Sequence, residues 1–442
     1  MTLASNHAHG ISRALLALSL TGLCAAASLP AQAGPAIKSI ASFIGNGVYY
    51  PYGEEPRGGV ILDSSGNIFG TAYYGGDDNR GTVYEIVKGT NTIKALASFN
   101  GSNSGNPGAY PSGYIVMDSG GNIYGTTENA GDFGRGTIYK LASGTSTITT
   151  LVSIDRGQYG ATAHGLISDS SGNLYGGIVY NGYAGANHSA VYELVKGSST
   201  VTTLASFDPS FGGISPLTLD NSGNIFGTTF FGGAFNNGTA AGDGSIFEIA
   251  KGSGTVTTLA SFNGTNGYNP LGGITFDGDG NMFGTTQLGG ASNRGTIFEV
   301  AKGSTTITVL DSFTADTNRT QVGVTLDSAG NIFGTTAYGG PSTYGTVYKL
   351  AKGSSTITSL ASFSGADGAN PFAAVTLDSS GNLYGTTFRG GSSGGGTVFG
   401  IPGAGAPAVP EASSAISLAL LLGLSGVFLA AHKRKKSMTP AE

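Results

Sequence analysis

A short polar motif, Asp-x-x-Gly-Asn, recurs seven times along this chain of 442 residues. The first residues of the seven copies are Asp63, Asp118, Asp169, Asp220, Asp277, Asp327 and Asp378. Successive copies are 50 to 57 residues apart. A period of this length with short strands is typical of propeller blades or repeat arrays. The repeat therefore constrains the fold more than any other feature of the sequence.

Each repeat contains four candidate β-strands. In the fifth copy the predicted strands are residues 273–276, 281–286, 296–301 and 305–313. They are short, rich in Thr, Val, Ile, Tyr and Phe, and separated by turns of Gly, Asn, Asp and Ser. The Asp of the motif can cap its own turn, and the glycine permits a positive φ. The sequence predicts an all-β protein built from four-stranded sheets.

The two ends of the repeat array complement each other. The seventh copy has three strands and stops at Pro402, without the usual Thr-Ile-Thr-x-Leu-Ala-Ser-Phe strand. Residues 36–43, Ala-Ile-Lys-Ser-Ile-Ala-Ser-Phe, match that missing strand. An open array gains nothing from having the last strand of its final repeat at the N-terminus. In a closed ring, that strand joins the two ends of the chain and leaves no sheet edge unprotected. We therefore expect a seven-bladed β-propeller over residues 34–402, closed by the N-terminal strand.

Composition excludes several other classes of protein. The 77 glycines have no Gly-X-Y period, which excludes collagen, and 39% apolar residues is too many for a disordered chain. Only 11% of residues are charged, which excludes long charge-rich helices. Residues 34–410 contain 16 Lys and Arg against 24 Asp and Glu, a net charge of −8. Nucleic acid is therefore not an expected partner.

Residues 1–33 have the parts of a secretory signal peptide. Arg13 precedes an apolar run over residues 14–27, and Ala31-Gln32-Ala33 supplies small residues for cleavage. Cleavage there makes Gly34 the mature N-terminus and removes the single cysteine. We expect the mature chain to lie outside the cytoplasm and to contain no disulfide.

A second apolar segment follows the repeats. Residues 412–431 are 20 residues long, enough for a transmembrane helix, and residues 403–411 link them to the repeats. Residues 432–442 contain a basic cluster that is expected to stay cytoplasmic, which leaves the repeats outside. The sequence thus predicts a surface protein that is anchored in the membrane by a C-terminal helix.

This C-terminal arrangement resembles the PEP-CTERM sorting signal, in which a Pro-Glu motif precedes a transmembrane helix and a basic tail. The motif here is Val409, Pro410 and Glu411, and Ala412 stands where the signal usually has a second proline. The resemblance implies an exosortase as a processing partner that removes the tail. The protein would then be found at the cell surface or in the extracellular space.

The repeats also resemble a known family. The elements Tyr/Phe-Gly-Thr-Thr, Gly-Gly, Gly-Thr-Val/Ile-Tyr/Phe and Asp-x-x-Gly-Asn are similar to the GloVer tandem repeat of bacterial choice-of-anchor surface proteins. The third and fourth copies depart from this pattern, with Gly176-Gly177 and Gly244-Ser245 respectively. The resemblance implies an exported protein with an interchangeable anchor, and it supplies no catalytic residues.

Ligand-binding residues are expected on one face of the propeller. Connections between strands one and two and between strands three and four are nearly constant, whereas the other connections vary in length and chemistry. Loops on a rigid scaffold usually hold binding residues, and exposed aromatic rings offer flat surfaces to sugars. The candidate residues are Tyr50, Tyr110, Tyr268, Arg80, Arg135 and Arg294. The alternative is that these aromatic side chains pack within their own loops.

The resulting hypothesis is a non-enzymatic binding or structural module of the cell envelope or extracellular matrix, with extracellular polysaccharide as a candidate partner. Repeats this uniform leave few unique polar residues for an active site, and no cofactor or metal is expected. Two alternatives stay open. One is an extracellular glycan-acting enzyme on a propeller scaffold. The other is calcium binding at turns such as residues 277–281, for which the main interpretation is a hairpin capped by Asp.

Overall fold

Strands account for nearly all of the regular structure in the computed structural model of this chain. The structure describes residues 35–44, 53–101, 107–155, 161–179, 189–235, 242–315, 317, 320 and 322–405. Within them are 28 β-strands and one short 3₁₀ helix, Pro209–Phe211, so the all-β prediction is confirmed. No helix in this part of the chain is long and apolar enough to cross a membrane. The predicted signal peptide, sorting motif and transmembrane helix lie outside the described residues.

The strands follow one another in seven units of four, and unit 7 borrows its fourth strand from the N-terminus. The N-terminal strand is β1 (Lys38–Ser42). Unit 1 consists of β2 (Ile61–Leu62), β3 (Ile68–Ala72), β4 (Thr82–Ile86) and β5 (Lys94–Ser98). Unit 2 consists of β6 (Ala109–Met117), β7 (Ile123–Asn129), β8 (Thr137–Leu141) and β9 (Ile148–Ser153). Unit 3 consists of β10 (Ala161–Ser168), β11 (Leu174–Val179), β12 (Ala190–Leu194) and β13 (Thr202–Ser206).

The remaining units have the same order of strands. Unit 4 consists of β14 (Thr218–Leu219), β15 (Ile225–Thr229), β16 (Ser245–Ile249) and β17 (Val256–Ser261). Unit 5 consists of β18 (Thr275–Phe276), β19 (Met282–Thr285), β20 (Thr296–Val300) and β21 (Thr308–Ser312). Unit 6 consists of β22 (Thr325–Leu326), β23 (Ile332–Thr336), β24 (Thr346–Leu350) and β25 (Thr358–Ser362). Unit 7 contains β26 (Thr376–Leu377), β27 (Leu383–Thr387) and β28 (Thr397–Ile401).

The N-terminal strand completes unit 7, as the sequence predicts. β1 pairs antiparallel with β28, with Lys38 opposite Gly400 and Ser42 opposite Thr397. The sheet therefore runs β1-β28-β27-β26, and it joins strands from the two ends of the repeat array. Just beyond β1, the backbone N–H of Phe43 donates to the carbonyl of Gly396 over 2.9 Å. This pairing supplies the strand that the seventh repeat lacks.

Units 2 and 3 depart from the expected series of separate four-stranded sheets, because they form one eight-stranded sheet. Their first strands, β6 and β10, lie parallel to each other with Gly165 opposite Tyr114. A Cβ at Gly165 would overlap the Tyr114 backbone, so the absence of a side chain allows the two strands to meet. β6 and β10 have 9 and 8 residues, whereas the first strands of the other five units have 2 each.

The third strand of every unit buries one aromatic ring completely. These rings belong to Tyr84, Tyr139, Tyr192, Phe247, Phe298, Tyr348 and Phe399, all 0% exposed. The ring of Phe298 lies against Gly284 on the neighbouring strand, and a Cβ on Gly284 would come within 2.6 Å of it. The glycine of the Tyr/Phe-Gly-Thr-Thr element is therefore required, because a side chain there would collide with a close-packed ring.

Edge-to-face aromatic pairs join consecutive units. The Phe that follows the fourth strand of one unit packs on the third-strand ring of the next, with centroids 4.7–5.2 Å apart. The pairs are Phe43–Tyr84, Phe99–Tyr139, Phe207–Phe247, Phe262–Phe298, Phe313–Tyr348 and Phe363–Phe399. Between units 2 and 3, Ile154 takes the place of Phe in the cluster around Tyr192. The first pair is formed by the strand that completes unit 7, so the series leads from unit 7 back to unit 1.

Threonine hydroxyls make a second repeated contact between units. Thr228, Thr285 and Thr335 each donate to a backbone carbonyl at the start of the next unit, over 2.7–3.1 Å. Thr386 of unit 7 donates in the same way to the carbonyl of Gly58 in unit 1, over 2.9 Å. The junction between units 7 and 1 therefore has the same hydrogen bonds as the junctions between units 4, 5, 6 and 7.

The Asp-x-x-Gly-Asn turn satisfies its own polar groups. One carboxylate oxygen of Asp118 accepts the backbone N–H groups of Gly120 and Asn122, and the other accepts the Asn122 side-chain amide. The side-chain oxygen Oδ1 of Asn122 accepts the N–H of Ser143, which ties the first hairpin of the unit to the second. The interpretation as a hairpin cap is confirmed at this turn. In the described part of the chain, no group of three or more His, Cys, Asp or Glu residues could hold a metal ion.

Truncation of Phe43 tests whether β1 belongs to the core. Phe43 is 0% exposed and pairs with Tyr84, so Phe43→Ala should lower the free energy of unfolding by about 3–5 kcal/mol, measured by urea denaturation. Phe262→Ala, at the equivalent position of unit 4, should cost about the same. Phe133→Ala, whose ring is 54% exposed, should change little. A Phe43→Ala variant as stable as the wild type would contradict this role for β1.

Acid should destabilise the protein through its Asp turns. Burial raises the pKa of Asp118, but hydrogen bonds from Asn122, Tyr124 and Gly120 outweigh burial, and the net pKa lies below the ordinary value of 3.8. The pKa values of Asp169, Asp277 and Asp378 are lowered in the same direction. A carboxyl group with a lowered folded-state pKa binds its proton more tightly in the unfolded chain. Its contribution to stability is therefore complete above the unfolded-state pKa and is lost as the pH falls through the folded-state pKa.

We expect the urea midpoint to decline steeply only below about pH 4. A variant that combines Asp118→Asn, Asp169→Asn, Asp277→Asn and Asp378→Asn should start from a lower midpoint and show a shallower decline. An equally steep decline in this variant would show that other carboxylates are responsible for acid sensitivity.

Candidate functional site

The connections between strands lie on two faces. One face has the Asp-x-x-Gly-Asn turns and the connections between third and fourth strands, and we call it the turn face. The other has the connections between second and third strands and those that lead to the next unit, and we call it the variable face. In units 1 to 6 an Asn side chain links the two connections of the turn face to each other, and in unit 7 the side chain of Asn382 accepts the N–H of Gly403 just after β28. Most of the polar chemistry of the turn face thus serves the turns themselves.

Arginine and lysine are segregated between these faces. The five described arginines of the repeat region all fall in variable-face connections; they are Arg57, Arg80, Arg135, Arg294 and Arg389. The nine lysines fall in turn-face connections or in strands; they are Lys38, Lys88, Lys94, Lys140, Lys196, Lys251, Lys302, Lys349 and Lys352. Arg156 and Arg319 lie outside the described residues. A guanidinium group stacks on rings and donates parallel hydrogen bonds, which an ammonium group does not do.

Three of the described units contribute to one continuous stack of side chains on the variable face. The guanidinium carbon of Arg57 lies 3.4 Å from the ring centroid of Tyr73 and 5.6 Å from that of Phe388. The rings of Tyr73 and Tyr110 are stacked, with centroids 5.0 Å apart and planes inclined by 22°. Arg80 donates a hydrogen bond to the Tyr110 hydroxyl, and its guanidinium carbon lies 5.3 Å from that ring. We call these five residues, from units 7, 1 and 2, the aromatic–arginine ladder.

The backbone at Tyr110 has an unusual conformation. Tyr110 has φ 60° and is followed by Pro111, and the equivalent residues before proline in units 5 and 7 are Asn269 and Asn370, with φ 54° and 55°. Asparagine tolerates this left-handed region, whereas a bulky side chain there is strained by about 1–3 kcal/mol. Unit 2 thus has a strained tyrosine at a position where units 5 and 7 have asparagine, which tolerates this backbone conformation. Such strain is concentrated at functional sites.

Acidic groups flank the ladder. The Tyr73 hydroxyl donates to a carboxylate oxygen of Glu128 over 2.7 Å, and burial together with this carboxylate raises the pKa of Tyr73. A guanidinium nitrogen of Arg57 lies 3.3 Å from a carboxylate oxygen of Glu55. The buried Nε of Arg57 has no hydrogen-bond partner among the described residues. Arg80 itself is exposed, so the ladder has a buried middle and an open end.

The structure brings together two of the six ligand-binding residues expected from the sequence. Arg80 and Tyr110 are in contact, as described above. Tyr268 is half-buried, and its hydroxyl donates to the side chain of Asn293, the residue before Arg294, over 3.1 Å. Arg135 occupies the position in unit 2 that Arg80 has in unit 1. Tyr50 and the sorting-motif residues Val409, Pro410 and Glu411 lie outside the described residues.

Sequence reasoning missed Arg57, Tyr73 and Phe388. Arg57 follows Pro56, and Glu55-Pro56 aligns with Tyr110-Pro111. An alignment of the repeats therefore places Arg57 at the junction between units 7 and 1. Tyr73 follows the second strand at the position that Glu128 has in unit 2. The tyrosine doublet at residues 73–74 occurs in no other repeat at this position, and it was the signal that could have revealed the site.

Residues in or just before the first strands of six units line a cavity of about 180 Å³. Seven equivalent positions, four residues before each Asp, are Gly59, Tyr114, Gly165, Pro216, Gly273, Gly323 and Ala374. Tyr114 is the single large residue of this set, and its hydroxyl accepts the backbone N–H of Ala374 over 3.0 Å. Among the described residues that line the cavity there is no Asp, Glu, His, Cys, Lys or Arg. This lining offers no pair of groups for acid–base catalysis.

Comparison with known families agrees with this organisation. The model of the Gloeobacter/Verrucomicrobia repeat family matches residues 33–241 and 237–409. The chain belongs to this family. The resemblance to the GloVer tandem repeat is therefore confirmed over nearly all of the region between the chain ends. Membership in the GloVer family indicates an extracellular or surface protein. No curated protein matches the chain in sequence.

Solved structures are similar to this GloVer chain in fold. Oligogalacturonate lyase from Vibrio parahaemolyticus has a TM-score of 0.52 at 10% identity, over 85% of this chain and 94% of the lyase. An oligogalacturonate lyase in complex with manganese has a TM-score of 0.51 at 10% identity, over 78% and 89% of the two chains. The extracellular domain of a one-component system from B. thetaiotaomicron has a TM-score of 0.50 at 14% identity, over 83% of this chain and 42% of that chain. At these identities the similarity concerns the fold alone.

Proposed function

We propose that the seven units close into a seven-bladed β-propeller, and that this propeller is an exported, non-enzymatic binding module whose variable face contacts an extracellular polymer. The observation behind the binding role is the composition of the two faces. The turn face repeats the same internally bonded residues, whereas the variable face has every described arginine of the repeat region and the aromatic–arginine ladder. Rigid scaffolds usually bind through their variable loops.

Closure of the ring is supported by contacts between units 7 and 1 that also occur at other junctions. The Phe43–Tyr84 pair and the hydrogen bond from Thr386 to Gly58 were described above. In addition, the N–H of Glu55 donates to the carbonyl of Gly395 over 2.9 Å. Equivalent bonds run from Tyr110 to Arg80 and from Asn370 to Tyr344. A ring removes the two free sheet edges that an open array would expose.

The absence of enzymatic activity is proposed from the chemistry of the cavity described above. Its described lining is apolar or glycine, apart from threonine hydroxyls and the Tyr114 hydroxyl. Burial raises the pKa of Tyr114, and the hydroxyl is already bonded to Ala374. Most glycoside hydrolases use a pair of acidic groups at a defined separation, and the described lining of the cavity has no such pair. We therefore place binding ahead of catalysis.

We further propose that the chain is exported by residues 1–33 and processed at the Pro-Glu motif by an exosortase-type enzyme. Mass spectrometry of the protein from its native cells should then find Gly34 at the N-terminus and a C-terminus near Glu411. A mature protein that keeps residues 432–442 would contradict processing and leave a plain membrane anchor as the explanation.

Chemical modification tests which face binds, because arginine and lysine are segregated. Retention of the purified protein should be measured on an array of acidic and neutral extracellular polysaccharides. Phenylglyoxal, which modifies arginine, should abolish retention on every polymer that the wild type binds. Reductive methylation of lysine, which keeps the charge, should leave retention unchanged. Circular dichroism of both products should confirm that the fold is intact.

Loss of retention after lysine methylation alone would place the binding surface on the turn face, and no retention on any polymer would contradict the binding role.

A further inference from the structure

We propose that the aromatic–arginine ladder binds an uncharged, hydroxyl-rich glycan chain. This inference rests on the proposed binding function and names the site and the ligand class. The ladder is the one place in the described residues where rings and guanidinium groups from three units form a continuous stack. Sugar rings present flat C–H faces that can pack on the half-buried rings of Phe388, Tyr74 and Tyr110, whereas Tyr73, at 8% exposure, holds those rings in place.

The charge around the ladder favours a neutral ligand over a polyanion. The connections that bear the ladder, together with the Glu128 carboxylate bonded to Tyr73, have three guanidinium groups and five carboxylates, a net charge of −2. The basic residues are Arg57, Arg80 and Arg389, and the acidic residues are Glu54, Glu55, Asp77, Asp78 and Glu128. A chain of uronate or sulfate groups would meet these carboxylates, and like charges brought together at an interface cost several kcal/mol. An uncharged ligand avoids that repulsion.

The same groups match the hydrogen-bonding chemistry of sugar hydroxyls. Each hydroxyl both donates and accepts, so a site for sugars needs donors and acceptors side by side. Arg80 and Arg389 are exposed and supply fixed forks of N–H donors at either end of the stack. Glu54 and Glu128 are half-buried and supply carboxylate acceptors. Lysine, which is absent from this face, would offer only a mobile point charge.

The ladder is already ordered before any ligand arrives. Tyr73 is 8% exposed and is held by Arg57 on one side and Tyr110 on the other. Tyr74 also packs edge-on against both tyrosine rings, at 4.9 and 5.6 Å. Binding to fixed side chains loses little rotamer entropy, which raises the affinity obtained from a given contact area. The strained backbone at Tyr110 maintains this arrangement, whereas asparagine at that position would fit the backbone and remove the ring.

The repeats themselves supply the variant that separates binding from folding. Tyr110→Asn installs the residue found at the equivalent positions 269 and 370, so the backbone conformation is kept and the stack is interrupted. Tyr344→Asn is the matched control, because Tyr344 is a 42% exposed tyrosine on the variable face of unit 6, away from the ladder. Thermal unfolding of both variants should stay close to that of the wild type.

Affinity electrophoresis of the full chain can then be run in gels that contain one soluble polysaccharide each: dextran, laminarin or hydroxyethyl cellulose as neutral probes, and alginate or dextran sulfate as anionic probes. We expect the wild type to be retarded by at least one neutral polymer. This retardation should be equal at about 50 mM and about 500 mM NaCl, because no charge on the ligand is screened. Tyr110→Asn should weaken it about tenfold or more, and Tyr344→Asn should not.

Two results would overturn this inference and leave the proposed binding function intact. One is salt-sensitive retardation by the anionic polymers alone, which would identify a polyanion as the ligand. The other is retardation by a neutral polymer that Tyr110→Asn does not weaken, which would place the site elsewhere on the protein. Wild-type protein that is retarded by none of the five polymers, and retained on no polymer of the array, would overturn both proposals.

Discussion

The contact between two aromatic rings at the junction of consecutive units is the interaction on which the rest of this structure depends. A single unit of a repeat protein cannot bury its hydrophobic face alone and depends on its neighbours to cover it. The Phe after the fourth strand, replaced by Ile154 in unit 2, reaches into the next unit, where a glycine leaves room for the ring that it meets. Because this contact lies between units, each unit is complete only when the next one is present. The last unit therefore needs the first, and β1 makes that contact with Phe43.

Much of this could be predicted from the sequence because the relevant information is local and repeated. The Asp-x-x-Gly-Asn turn satisfies its hydrogen bonds within five residues, so its structure follows from its own side chains. The displaced strand over residues 36–43 could be recognised because six other copies of it exist in the chain. The hairpin order within a unit follows from turn residues and β-branched segments.

The remainder could not be predicted because it depends on contacts between distant residues that do not repeat. The ladder joins Phe388 to Arg57, which lie near opposite ends of the repeat array, and the pairing of β1 with β28 brings these two segments together. Pairing of β6 with β10 depends on Gly165, one of 77 glycines, and nothing local distinguishes it from the others. Among the expected site residues, Arg80 and Tyr110 meet because the backbone before Pro111 turns to a positive φ.

Both ends of the described repeat array lie on the turn face. β1 begins there at Lys38, β28 ends there at Ile401, and Gly403 donates its N–H to Asn382 in the neighbouring turn. A tether attached at either end would therefore pull on the lysine side of the molecule. The arginine side would point away from the point of attachment, and a cut in the tether would release the repeat array without opening any loop of the ladder. The orientation of a tethered array would thus follow from the pairing of β1 with β28.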